Sequence, residues 1–345
     1  MPKVIDLFCG VGGLTCGLKK AGLNVIAGFD IDPTCKYTYE HNNNVTYHNE
    51  NIREISGEQI KKLFGNDNAP VLVGCAPCQP FSQMRFKLGE ANASDDKYDL
   101  LLEFGRLIEE VKPAIVSMEN VPRIRNTDVF KSFIDILDNN GYYHSEEVVY
   151  CPNYGIPQSR RRFVLIGSRF GPIELIPPTH DPKSIHIKDY IYNLPQIDAG
   201  EVCLSDQLHR SAALSDKNLE RIRVSIPGGT WRDWPENLRC KCHRKSSGQT
   251  YSSVYGRMTW DQIGPTITTQ FYSYGTGRYG HPEQDRALSL REGALLQTFP
   301  NNYDFIDPDR PFKFGDIARH IGNAVPVRLG EIIGQTIIKH LNEHI

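Results

Sequence analysis

Residues 74–82 read GCAPCQPFS, and the thiols of Cys75 and Cys78 three positions apart open three chemistries. Such a pair can exchange a disulfide, supply half of a metal site, or present one thiolate as a nucleophile beside a structural cysteine. A carboxyl group follows at Glu119 in MENVP (118–122), and guanidinium groups follow at Arg160, Arg161 and Arg162 in QSRRRFVLIG. A thiol, a carboxyl and a set of cationic donors make up a nucleophile, a proton donor or acceptor and a clamp for a polar ring. The thioredoxin-like reading shares the two-residue spacing, and spacing alone leaves it open.

These side chains act together only if the fold brings them to one place. KVIDLF, NVIAGFD, APVLVG, PAIVSME and RFVLIG are short apolar runs that read as buried strands. Leu14 to Ala21, YDLLLEFGRLIEEVK and DVFKSFIDILDNN carry helical periodicity between them. That alternation predicts an α/β fold, an open, parallel Rossmann-like sheet with crossover helices. Such sheets keep their sites beyond the carboxyl ends of the strands. GCAPCQPFS and MENVP each follow or end a strand and so share that edge, with Pro77 and Pro80 stiffening the chain around Cys78. A two-residue period through QSRRRF puts Gln158, Arg160 and Arg162 on one face.

DLFCGVGGLTCGL (6–18) is a strand, a glycine-rich turn and a helix, where small residues let a ligand approach the backbone. Thr15 stands where a dinucleotide fingerprint needs its third glycine, which disfavours a pyrophosphate. Asp30 ends the second strand twenty residues after Gly10, where a carboxylate can accept from both ribose hydroxyls. A ribose without a pyrophosphate suits S-adenosylmethionine.

In order along the chain stand DLFCGVGG, PCQPFS, ENV, QSRRR, LSLREGALLQTFP and GNAVP. With these six motifs the sequence closely resembles, over nearly its full length, the bacterial type of DNA (cytosine-5) methyltransferases. The resemblance implies an S-adenosylmethionine-dependent methyltransferase domain with a smaller, loop-rich target-recognition domain. Domain limits are expected at 1–174 for catalysis and cofactor, 175–270 for target recognition, and 271–345 for a return to the first domain. It also implies that Cys78 adds to C6 of a cytosine flipped out of duplex DNA, making C5 a carbon nucleophile toward a methyl sulfonium. Glu119 would serve N3 and the exocyclic amine, Arg162 would hold O2, and Arg160 would support the site. Cys75 then reads as a packing residue.

By the same resemblance the cofactor residues are Phe8, Gly10, Gly12, Gly13, Leu14, Asp30, Ile31, Asn51, Ile52, Pro77, Leu100, Asn323 and Ala324. Gln79, Ser82, Arg85, Gln158, Arg244 and Lys245 are the expected DNA contacts, and residues 79–96 the loop that closes over the base. Asn51 stands where the family has an aspartate toward adenine, and its amide oxygen keeps an acceptor. Ala76 stands where proline or phenylalanine is common, with no consequence for function. Double-stranded DNA is the expected partner, for a monomer that works independently of any cognate restriction endonuclease. The alternatives are an RNA cytosine-5 methyltransferase and a catalytically silent DNA-binding relative; the latter would be expected to lose the cysteine or the glutamate, and both are present.

With 39% hydrophobic residues, 23% charged residues and a net charge of -2, the 345-residue chain excludes a disordered or uniformly basic protein. No run is long and apolar enough for a membrane, the amino terminus enters a strand at once, and nine scattered cysteines suggest reduced thiols, so cytoplasm is the expected location. Charge is uneven: residues 201–260 carry a net +4, and the segments around them are each negative. That basic stretch holds Trp231 and Trp234, which either stack on bases or fill a small core. Cys240, Cys242 and His243 have a spacing that disfavours a common structural zinc site, and no metal is expected.

Overall fold

The computed structural model describes residues 1–77 and 99–345, so Cys78, Gln79, Ser82, Arg85 and the segment 79–96 lie outside the described residues. The chain divides into two compact units. One comprises Met1–Tyr154, Arg161–Pro178 and Val325–Ile345, the other Gly155–Arg160 and Thr179–Ala324.

The first unit is built on a seven-stranded sheet of order β3-β2-β1-β4-β5-β7-β6. Its strands are β1 Lys3–Leu7, β2 Asn24–Asp30, β3 Thr46–Asn49, β4 Val71–Gly74, β5 Ile115–Asn120, β6 Tyr143–Tyr150 and β7 Arg161–Ser168. β1 to β5 run parallel, as their apolar runs lead one to expect, but β7 is antiparallel to both β5 and β6. The sheet is therefore mixed. β3 and β6 escape a reading of apolar runs because they are edge strands: YHSEEVVY of β6 is mostly half-buried or exposed.

Helices cover the sheet as the sequence periodicity predicts. Leu100–Val111 buries Leu101, Phe104, Leu107, Ile108 and Val111, while Asp128–Asn139 buries Phe130, Phe133 and Leu137. Thr127 caps the second of these by accepting from the Phe130 amide at 3.2 Å. The carboxyl-terminal helix Val327–His344 packs on the first helix, Gly13–Lys20, and glycines permit the contact. A Cβ on Gly17 would lie 2.2 Å from the Val327 carbonyl oxygen, and one on Gly330 would lie 2.8 Å from that of Leu14.

The second unit has little regular structure: a hairpin of β8 Val202–Cys203 and β9 Asp206–Arg210, the short helices Asp216–Arg223, Leu290–Leu296 and Phe314–Asn323, and several 3-10 turns. Its core gathers Ile222, Trp231, Trp234, Leu238, Tyr274 and Ala287. Residues 271–324, expected to return to the first domain, fall in this unit instead. Side chains far apart in sequence explain why. Arg291 grips Asp206 at 2.6 and 3.0 Å, His209 Nδ1 pairs with the Ser289 hydroxyl at 2.9 Å, and Arg286, which forms two 2.7 Å bonds to nearby Glu292, also donates to Ile197 O at 3.1 Å.

Candidate active site

Strand order reverses direction between β1 and β4, and ligands of open α/β sheets bind outside the carboxyl ends of the strands at that switch point. β1 delivers the glycine turn there and β4 delivers GCAP, residues 74–77. Phe8 holds φ at 59°, rare for a bulky residue, with the following Cys9 amide bonded to Phe29 O at 3.1 Å. Gly10 (φ 50°) and Gly12 (φ 83°) continue in the left-handed region, where glycine carries no steric cost. A Cβ on Gly10 would meet nothing within 4 Å, so open space faces the turn. Gly13 and Leu14, both buried, begin the helix.

Asp30 stands across from this turn. Its Oδ2 accepts from the Gly10 amide at 2.8 Å and its Oδ1 from the Asp32 amide at 2.9 Å, so the carboxylate is held at both oxygens. Ile31 beside it is 67% exposed, an apolar side chain suited to cover by a flat ligand. Thr15, which breaks the dinucleotide pattern, donates to Asp6 Oδ2 at 2.7 Å and meets the Tyr39 hydroxyl at 3.0 Å. Burial pushes the Asp6 carboxyl up to about 7, against the lowering effect of the Thr15 bond. Asn51 Oδ1 accepts from the Arg53 amide at 3.2 Å and caps the 3-10 turn Ile52–Glu54, with Ile52 buried. Leu100 and Pro77 are half-buried, the latter directly before Cys78.

Glu119 lies near the end of β5 and is 3% exposed. Its Oε1 is 2.8 Å from Arg162 Nε, and its Oε2 accepts from the Cys75 thiol at 2.9 Å. The antiparallel register is what makes the first contact: Glu119 pairs with Val164 and Asn120 with Phe163, so the start of β7 meets the end of β5. Asn120 adds a bond that sequence reasoning missed although ENV was singled out. Its Nδ2 donates to Ala76 O at 3.1 Å and ties the strand end to the segment that leads into Cys78.

A family model described as C-5 cytosine-specific DNA methylase matches residues 2–339. The chain is 52% identical over 342 residues to the Type II methylase M.HgiDII of Herpetosiphon aurantiacus, covering 98% of this chain and 95% of the relative. It is 31% identical to the Type II methyltransferase M.PspPI of a Psychrobacter strain, covering 99% and 80%. The chain belongs to the C-5 cytosine-specific DNA methylases. Among solved structures, a candidate DNA modification methyltransferase encoded within an Escherichia coli prophage superposes with a TM-score of 0.71 at 24% identity, covering 99% of this chain and all of the other, a likeness of fold.

Several residues of this methylase stand elsewhere than its sequence suggested. β7 begins at Arg161, so Gln158 and Arg160 precede the strand and do not share its period. Gln158, expected on DNA, is fully buried: its amide donates to Leu296 O and Gln297 Oε1 at 2.8 Å and accepts from the Ile267 amide at 3.0 Å. Arg160 is 3% exposed and donates to Ile267 O at 2.9 Å, a scaffold bond within the second unit. Asn323 and Ala324 end the helix Phe314–Asn323, and Gln297 Nε2 donates to Ala324 O at 3.1 Å.

Trp231 and Trp234 are core residues, 3% and 1% exposed, with their indole N–H groups on Tyr251 O and Ser225 Oγ. Stacking on bases by these two rings is excluded by their burial. Arg244 and Lys245 are exposed. Cys240, Cys242 and His243 do gather their ligand atoms within 4.8 Å of one another. His243 Nδ1 accepts from the Cys240 amide at 3.3 Å while its ring stacks on Trp231 at 4.0 Å. No disulfide joins any two of the eight described cysteines, and no described helix is long and apolar enough to cross a membrane.

Proposed function

We propose that this methylase takes its methyl group from S-adenosylmethionine and uses Cys78 and Glu119 to activate a cytosine flipped out of duplex DNA. One observation carries the reading: Glu119 is buried at the carboxyl edge of the sheet, against Arg162, on a strand end tied to the segment that leads into Cys78. Cys78 adds through sulfur to C6, and the electron pair displaced from the 5,6 double bond moves into the ring as N3 receives a proton from Glu119. Arg162 keeps the carboxyl oriented and offers its remaining guanidinium donors to O2. The C5 proton leaves to solvent as the Cys78–C6 bond breaks and N3 returns its proton to Glu119, which restores the aromatic ring, the thiolate and the acid.

The cofactor's place fits the residues present. The open space over Gly10, the doubly held Asp30 carboxylate and the exposed Ile31 suit a nucleoside with two vicinal hydroxyls and no phosphate. When bound, S-adenosylmethionine supplies the electrophilic methyl group to C5. Asp30 would hold the ribose hydroxyls, Ile31 would cover the adenine, and Gly10 to Gly13 would leave room for the methionine part.

The second unit supports a role in target recognition through its basic segment 201–260 and the exposed Arg244 and Lys245. The Type II names of its relatives support a role as the modification half of a restriction-modification pair. Radiolabelled methyl transfer to duplex DNA and to transfer RNA tests the reading, with Cys78→Ser inactive yet able to bind DNA and cofactor. Duplexes carrying 5-fluorocytosine at the target should trap a denaturation-resistant adduct only with S-adenosylmethionine present. Label in transfer RNA alone, or an active Cys78→Ser enzyme, would overturn it.

A further inference from the structure

Cys75 was expected to be a packing residue, but its thiol donates to a carboxyl oxygen of Glu119 at 2.9 Å. The two oxygens of that carboxyl are not equivalent. Oε2 receives the thiol, whereas Oε1, though 2.8 Å from Arg162 Nε, makes no aligned hydrogen bond and is buried. The contact with Arg162 is therefore one of charge, and Oε1 keeps a lone pair uncommitted. Asn120 joins Ala76, the residue after Cys75, to the same strand end, so thiol and carboxyl are braced against each other.

We propose that Cys75 is a positioning residue for Glu119: by occupying Oε2 it fixes the carboxyl plane and reserves Oε1 for proton exchange with N3 of the cytosine. The proposal rests on the reading of Glu119 as the proton donor. Among the described residues, the ionisable groups in contact with this carboxyl are Cys75 from the β4 end and Arg162 from β7. Serine retains an O–H donor at nearly the same place, whereas alanine and valine do not.

Single-turnover methyl transfer to duplex DNA, and its KM, are measured for Cys75→Ala, Cys75→Val, Cys75→Ser and Glu119→Gln. Valine, close to cysteine in volume, stands in if the alanine variant fails to fold. Without the donor, the rate should fall about tenfold, the loss expected for one hydrogen bond to a charged group. The KM for DNA should stay nearly unchanged, and serine should restore the rate. Wild-type behaviour of the donorless variants overturns the proposal. So does an equal loss in serine, alanine and valine, which would make Cys75 a packing residue. Full activity in Glu119→Gln would instead refute the reading of Glu119 itself, and so tells the two failures apart.

Discussion

Glu292 of the LSLRE motif has no access to solvent and faces Arg286 through two 2.7 Å bonds, with His281 Nε2 at 3.6 Å. Its Oε2 also accepts from the Ser289 amide at 2.7 Å, one half of a capping box at the start of Leu290–Leu296. Burial pushes this carboxyl up, but Arg286, His281 and the Ser289 amide outweigh it and bring it from 4.5 down to about 2. A gap of that size corresponds to about 3 kcal/mol of folded-state stability. Because the folded value is the depressed one, this contribution is complete above the ordinary glutamate range and disappears as pH falls toward 2. In Glu292→Gln the capping bond can persist, but Arg286 is left as a buried cation among neutral acceptors, which costs about 3–5 kcal/mol. All three tryptophans lie in the second unit. Urea unfolding followed by their fluorescence therefore reports this unit, and a titration from pH 7 to pH 2 reports its acid loss. The expected result is a large drop in midpoint together with a flatter acid limb. A loss under about 1 kcal/mol with an unchanged acid limb would refute the argument that this pair holds 281–292 in the second unit.

Gly17→Ala should lower the thermal midpoint strongly, by about 2–3 kcal/mol of overpacking, because its Cβ would lie 2.2 Å from Val327 O and 2.5 Å from Glu331 N, both backbone atoms. Asp30→Ala removes the acceptor for the Gly10 and Asp32 amides as well as the proposed ribose contact, and calorimetry should show S-adenosylmethionine binding weakened about 10- to 100-fold. Neutralising exposed Arg244 and Lys245 with glutamine should weaken binding to all duplexes alike and reduce the salt slope by about 2, with the methylated sequence unchanged in bisulfite reads. Moving residues 179–324, the long part of the second unit, in from a relative with another target should change the methylated sequence while Cys78 and Glu119 still act; an active chimera that marks the parent's site would contradict it.

Much of the catalytic edge was legible because it is local. A strand, a glycine turn and an aspartate at the next strand end lie within Lys3 to Asp30, and short-range sterics dictate that Phe8, Gly10 and Gly12 turn as they do. The motif PCQ offers a candidate nucleophile by residue type, and apolar runs name β1, β2, β4, β5 and β7 because burial on both faces demands them. Direction, partner and depth are not local. Arg162 reaches Glu119 only because β7 runs antiparallel to β5; a parallel β7 would have carried its first residues to the opposite edge. Gln158 and Arg160 look like donors for a ligand in sequence, yet each lies buried on backbone more than 100 residues away, where unpaired amides and carbonyls would otherwise be costly. The choice between base stacking and core for Trp231 and Trp234, and between packing and positioning for Cys75, depends on which atoms lie within about 3 Å, and only long-range contacts bring those atoms together.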